Sequence, residues 1–115
     1  MKIGKIYTFE AAHYLPGHSK CGSIHGHSYK VEVLLEGPVK EGGMVLDFGE
    51  LDYFMNPIIS QFDHTTLNLI VGLETPTAEN ICTYIKEKLL VNLITAGSFK
   101  VKVKLWETAR CWAES

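Results

Sequence analysis

Two histidines separated by one residue, His25 and His27 in "CGSIHGH", can act as a pair if the chain between them is extended. Residues two apart in a strand point to the same side, with Cα atoms roughly 6–7 Å apart, so both imidazoles can reach one ion. His13 ends an earlier extended stretch, on the same side as Phe9 and Ala11. If the two stretches pair as a hairpin, His13 lies beside the other two. Three imidazoles from adjacent strand ends suit Zn²⁺, with bonds of about 2.0–2.1 Å. Three protein ligands leave a fourth position open, which is the arrangement of a catalytic rather than a structural zinc site. The bland alternative is a set of polar residues at strand ends.

Other residues could add chemistry. Cys21 precedes His25 by a short loop segment. It could close the metal site as a fourth ligand, stand off as a base or nucleophile, or be an inert loop thiol. A nearby cation lowers a thiol pKa from its ordinary value of about 8.5, and the spacing leaves all three roles open. In "FDHTTLN", Asp63 and His64 are adjacent; in a loop an aspartate can orient a neighbouring histidine for acid–base work. The alternative there is a turn aspartate beside a surface histidine. Glu107 ends a strand whose inward positions are otherwise Val and Leu, so a carboxylate is out of pattern. It either marks where the strand leaves the core or binds a ligand through two parallel N–H donors. Lys100, Lys102 and Lys104 form a basic stripe, by default a solvated strand face and otherwise a wall that attracts anions.

These residues need elements to position them. Residues 2–13 alternate, with Ile3, Tyr7, Phe9, Ala11 and His13 on one side, and read as a strand. "YLPGHSKCGS" is a loop. From His25 to about Glu36 a second strand puts His25, His27, Tyr29, Val31, Val33 and Leu35 on one face. The period then changes to helical. Asp47 is the expected N-cap, with Glu50 as its capping-box partner, and Pro57 is a candidate kink. A second helix runs through "TPTAENICTYIKEKLLVNL", capped by Thr75 or Thr77, with Ala78, Ile81, Cys82, Ile85, Leu89 and Leu93 as its apolar stripe. "FKVKVKLWE" is a strand, and "ARCWAE" a short last one. The order β-β-α-α-β-β predicts an α+β fold, an antiparallel sheet with both helices on one face.

Composition narrows the class. The chain has 115 residues, enough for one domain with its own core. A formal net charge of −2 gives no reason to expect nucleic acid as a partner. No apolar run approaches the roughly 20 residues of a membrane helix, and "MKIGKIYTFEAAH" alternates where a secretory leader would be apolar. Three widely spaced cysteines with no CxxC pair argue against a disulfide framework or zinc ribbon and for a cytoplasmic location.

Taken in order, "FEAAH", "CGSIHGHSYKVEV", "GMVLDFGEL", "DHTTLN", "PTAENI" and "WETA" resemble the 6-pyruvoyltetrahydropterin synthase family along essentially the whole chain, 1–115. The C-x₃-H-G-H spacing resembles its 6-carboxytetrahydropterin synthases of queuosine biosynthesis. The resemblance implies the tunnelling fold (T-fold), in which sheets of several subunits join into a barrel, commonly as trimers stacked into hexamers. It implies zinc on His13, His25 and His27, catalytic roles for Cys21, Asp63 and His64, and a pterin-anchoring role for Glu107. Sites built between subunits would let Cys21 and the Asp63–His64 pair come from different chains, with the lysine stripe lining the tunnel. The implied substrate is 7,8-dihydroneopterin triphosphate, converted to 6-carboxytetrahydropterin with release of acetaldehyde and triphosphate. The rivals are pyruvoyl formation on the same fold and a closed, non-catalytic zinc module. "GHSKCGS" and "ARCWAES" depart from the family pattern, so His18, Cys111 and Trp112 receive no family role.

Overall fold

A computed structural model describes all residues, 1–115. Two long strands, β1 (Lys2–His13) and β2 (His25–Glu36), form an antiparallel hairpin. Helix α1 (Phe48–Phe62) follows, then a two-residue strand β3 (Thr65–Thr66), a 3₁₀ turn (Leu67–Leu69), helix α2 (Ala78–Leu93), and strands β4 (Lys100–Trp106) and β5 (Trp112–Glu114). The five strands lie in the order β3-β1-β2-β4-β5. All pairings are antiparallel except β1 with β3, which is parallel.

The expected α+β arrangement is present, with both helices on one face. Along β2 the inward residues Tyr29, Val31, Val33 and Leu35 are buried while their neighbours are not, as a sheet covered on one side requires. They join Leu51, Met55, Ile58 and Phe62 of α1 and Ile81, Cys82, Ile85, Leu89 and Leu93 of α2 in a cluster of 21 buried residues. Cys82 is thus a core residue, its thiol donating to the Val103 carbonyl at 3.2 Å. Leu89 is fully buried. Leu89→Ala is expected to cost about 2–5 kcal/mol, read as a lower urea midpoint at fixed protein concentration. No helix is long and apolar enough to cross a membrane.

Local details refine the expected elements. The Asp47 carboxylate does cap α1, but by accepting from Gly49 N–H at 2.7 Å, and Glu50 closes no capping box. Pro57 lies within α1, which runs through to Phe62. β3 was not expected: two threonines carry no alternation long enough to register as a strand. Of the two candidate caps for α2, Thr77 serves, accepting from Asn80 N–H at 3.1 Å.

Candidate metal centre and the residues around it

The β1–β2 register pairs His13 with His25 and Ala11 with His27. His13 and His25 are therefore direct cross-strand neighbours, and His27 is the diagonal one. All three point to the helix-covered face at the loop end of the hairpin, where residues 14–24 join the two strands. One ligand nitrogen from each lies within 4.8 Å of the others.

Their tautomers follow from what their other nitrogens touch. His13 Nδ1 lies 2.8 Å from the Pro76 carbonyl and His25 Nδ1 lies 2.8 Å from the Ser23 carbonyl. A carbonyl only accepts, so each Nδ1 carries the proton and each neutral ring presents a bare Nε2. The Tyr29 hydroxyl oxygen, 3.2 Å from His13 Nδ1, takes a share of the same N–H. The two Nε2 atoms are 3.1 Å apart. Two lone pairs facing each other at that distance repel unless a cation lies against both. A tetrahedral ion with imidazole bonds of about 2.0–2.1 Å holds its ligand atoms about 3.3 Å apart. The third nitrogen, His27 Nε2, is buried with no hydrogen-bond partner, and a buried polar atom without a partner demands an explanation. Burial lowers the His27 pKa, with His13 and His25 adding to the effect and Glu107 opposing it, which favours the neutral, ligating form. The three residues fit a metal ion.

Glu107 completes the rim. The turn from β4 to β5 holds it through Glu107 N–H donating to the Cys111 carbonyl at 3.0 Å. Its carboxylate oxygens lie 3.6 Å from His27 Nε2 and 3.8 Å from His13 Nε2. The out-of-pattern carboxylate is thus turned toward the histidines. The Tyr29 phenol is pushed up by burial and by the charge of Glu107, so it stays protonated beside His13. No thiol belongs to the ligand cluster; Cys21 is half-buried on the loop between β1 and β2.

Asp63 and His64 end α1 and lead into β3. His64 adopts a left-handed backbone, φ 59°, uncommon for a residue with a side chain and frequent at functional sites. Its N–H donates to the Glu10 carbonyl at 2.6 Å, and the Asp63 carboxylate accepts from Glu10 N–H at 2.9 Å. The pair is thereby clamped to β1. His64 Nδ1 lies 3.0 Å from Asp63 Oδ2, which is the orienting contact the sequence reading allowed for. The Glu10 N–H first, and then His64, hold the Asp63 carboxyl below the ordinary carboxylate range. His64 is 79% exposed and makes no hydrogen bond to the three histidines, yet it lines one open pocket with His27, Glu10 and Ser28. One chain thus brings His13, His25, His27 and Glu107 together and leaves Cys21 and Asp63–His64 outside that cluster.

The lysine stripe faces away from the helices. Lys104 Nζ stacks over Trp112 at 4.0 Å, and Lys30 Nζ over Trp106 at 4.0 Å. Lys102 pairs with Glu114 at 3.5 Å.

The comparisons with known proteins agree with this geometry. Residues 2–115 match the family model described as 6-pyruvoyl tetrahydropterin synthase. A protein of Archaeoglobus fulgidus, provisionally named 6-carboxy-5,6,7,8-tetrahydropterin synthase, is 45% identical over 99% of this chain and 94% of its own length. A 6-carboxy-5,6,7,8-tetrahydropterin synthase of Synechocystis sp. is 43% identical over 76% of this chain and 73% of its own. A dihydroneopterin monophosphate aldolase of Pyrococcus furiosus is 37% identical, covering 93% and 91%. Among solved structures, the 6-pyruvoyl tetrahydropterin synthase of Caenorhabditis elegans superposes with a TM-score of 0.89 at 27% identity, covering all of this chain and 94% of that one. The expected T-fold is the fold observed.

Proposed function

The chain belongs to the 6-pyruvoyl tetrahydropterin synthase family, and we propose that it acts as a zinc-dependent 6-carboxy-5,6,7,8-tetrahydropterin synthase. In this reading one domain, residues 1–115, converts 7,8-dihydroneopterin triphosphate to 6-carboxytetrahydropterin, releasing acetaldehyde and triphosphate toward queuosine and other 7-deazapurines. The metal half of the reading is carried by the two bare Nε2 atoms of His13 and His25, 3.1 Å apart. The choice of reaction is carried by the relatives of that name.

His13, His25 and His27 would hold the zinc. When bound, zinc supplies a Lewis acid that acidifies substrate hydroxyls and the C–H bonds beside them. Cys21, as thiolate, removes or relays a proton from the substrate side chain. His64, held by Asp63, is the second acid–base group; such groups contribute roughly 10²–10⁴-fold each. Glu107 holds the aminopyrimidinone edge of the pterin in this reading, a role supported by a carboxylate turned into the site, 3.6 Å from His27 Nε2 and 3.8 Å from His13 Nε2. Glu107→Gln is then expected to raise KM by roughly 10–100-fold, the loss of a charge-assisted hydrogen bond, with a smaller change in kcat; a change confined to kcat would place Glu107 against the substrate side chain instead.

A homo-oligomer, trimer or hexamer, completes the site in this reading. It accounts for an acid–base histidine that is 79% exposed and for the exposed apolar Ile24, Leu69 and Val71 nearby in sequence. Three free cysteines suit a reducing, cytoplasmic compartment.

A second reading is favoured by the relative named dihydroneopterin monophosphate aldolase, whose substrate carries one phosphate. Mass analysis of products from the zinc-loaded protein, given dihydroneopterin triphosphate and monophosphate separately, decides between them. 6-Carboxytetrahydropterin with acetaldehyde from the triphosphate is expected. Turnover of the monophosphate alone would install the aldolase. A pyruvoyl product would make this a 6-pyruvoyltetrahydropterin synthase. No turnover of either, with zinc fully bound, would sink all three and leave a non-catalytic zinc module.

A further inference from the structure

The loop between His13 and His25 holds its cysteine by a device that its length alone does not suggest. "LPGH" forms a turn in which His18 N–H donates to the Leu15 carbonyl at 3.1 Å. Pro16 and Gly17 occupy its centre, and Gly17, at φ 78°, supplies the left-handed step that such a turn needs at its third position. The chain then doubles back, and the His18 imidazole becomes its anchor. His18 Nδ1 accepts from Cys21 N–H at 2.8 Å and from Lys20 N–H at 3.2 Å. The Cys21 carbonyl accepts from Leu15 N–H at 2.8 Å. Both backbone polar groups of Cys21 are therefore fixed, one of them by a side chain. The fit is close: a Cβ on Gly22 would lie 2.4 Å from the His18 carbonyl oxygen, so only glycine lets the chain pass.

We infer that His18 is a positioning residue for Cys21. By accepting the Cys21 amide proton on Nδ1, it sets the backbone from which the thiol projects. The contact needs the neutral ring protonated on Nε2, because a protonated Nδ1 has no lone pair to offer. His18 itself touches neither the three histidines nor Glu107. The inference rests on Cys21 being the catalytic thiol, as proposed above. A net hydrogen bond is worth about 1 kcal/mol, which corresponds to roughly five- to tenfold in rate if it is felt at the thiol.

The test compares His18→Ala and His18→Asn, both made in a Cys111→Ser background so that Cys21 is the only accessible thiol. Asparagine keeps a side-chain oxygen that can accept from N–H groups two and three residues on. His18→Ala should lower kcat about tenfold with KM and zinc content unchanged, and should speed hydrogen exchange at the Cys21 amide. His18→Asn should restore most of both. The ¹⁵N spectrum of the parent should show His18 as the Nε2–H tautomer. Unchanged exchange at the Cys21 amide in His18→Ala overturns the inference whatever the kinetics. So does faster exchange with kcat unchanged, provided Cys21→Ala is inactive. If Cys21→Ala keeps full turnover, the catalytic reading of Cys21 has failed, and the inference falls with it even where the exchange data show the anchor intact.

Discussion

Cys21→Ala is expected to lower kcat by about 10²–10⁴-fold while leaving the metal content and the unfolding midpoint where they were. The reason is positional. The ligand cluster contains His13, His25 and His27 and no thiol, and the Cys21 side chain is half-buried and makes no hydrogen bond in the fold. Removing its sulfur takes away the proton acceptor proposed above and nothing that holds the chain together; the loop's bonds to residue 21 are made by backbone. Metal analysis beside steady-state kinetics checks this. Loss of zinc together with a lower midpoint would instead make Cys21 a fourth ligand and the centre a structural one.

His13→Ala should do the opposite and reach further. His13 is 1% exposed, and its ring joins three things at once: the metal position through Nε2, the Pro76 carbonyl ahead of α2, and the Tyr29 hydroxyl. Changes to groups that only orient metal ligands typically cost 10–100-fold in affinity, and deletion of a ligand should cost at least about 10²-fold. The apo protein should also lose about 1–3 kcal/mol, because a buried carbonyl is left without its donor. In the holo protein the deficit should be larger, since the stabilisation that bound metal lends the native state goes too. Calorimetric zinc titration and urea denaturation, each with and without chelator, measure the two parts. If His13→Ala binds zinc as the parent does, the three-histidine centre is wrong. By contrast, His25→Ala should lose affinity with little loss of apo stability, because His25 is less buried and its Nδ1 bonds only the nearby Ser23 carbonyl.

Much of this molecule was legible because strand periodicity is simple. A period of two over residues 2–13 and 25–36 fixes which side chains share a face, and both strands form over those residues. That put His25 and His27 together, and it put Glu107 on the same face as Val101, Val103 and Leu105. Helix ends were legible where one residue type serves one bond, as at Asp47; ahead of α2 the same property left Thr75 and Thr77 equal, and the structure chose Thr77. Glu50 was misjudged because a capping box needs its side chain to fold back, and spacing says nothing of whether it does. β3 escaped because a parallel bridge of two residues is decided by where α1 ends against β1, through the contacts of Glu10 with Asp63 and His64.

The sequence by itself determined that His25 and His27 share one face and that His13 ends the strand before them, since residue type and pleat are local properties. Only the tertiary structure decided the rest. Register brought His13 opposite His25, and the carbonyls of Pro76 and Ser23 fixed which nitrogens are bare. The β4–β5 turn aimed Glu107 at them, and an exposed histidine outside every motif was revealed as the anchor of the loop that carries Cys21. Each of these depends on atoms far apart in the chain or on the path of a loop, where no periodicity constrains direction.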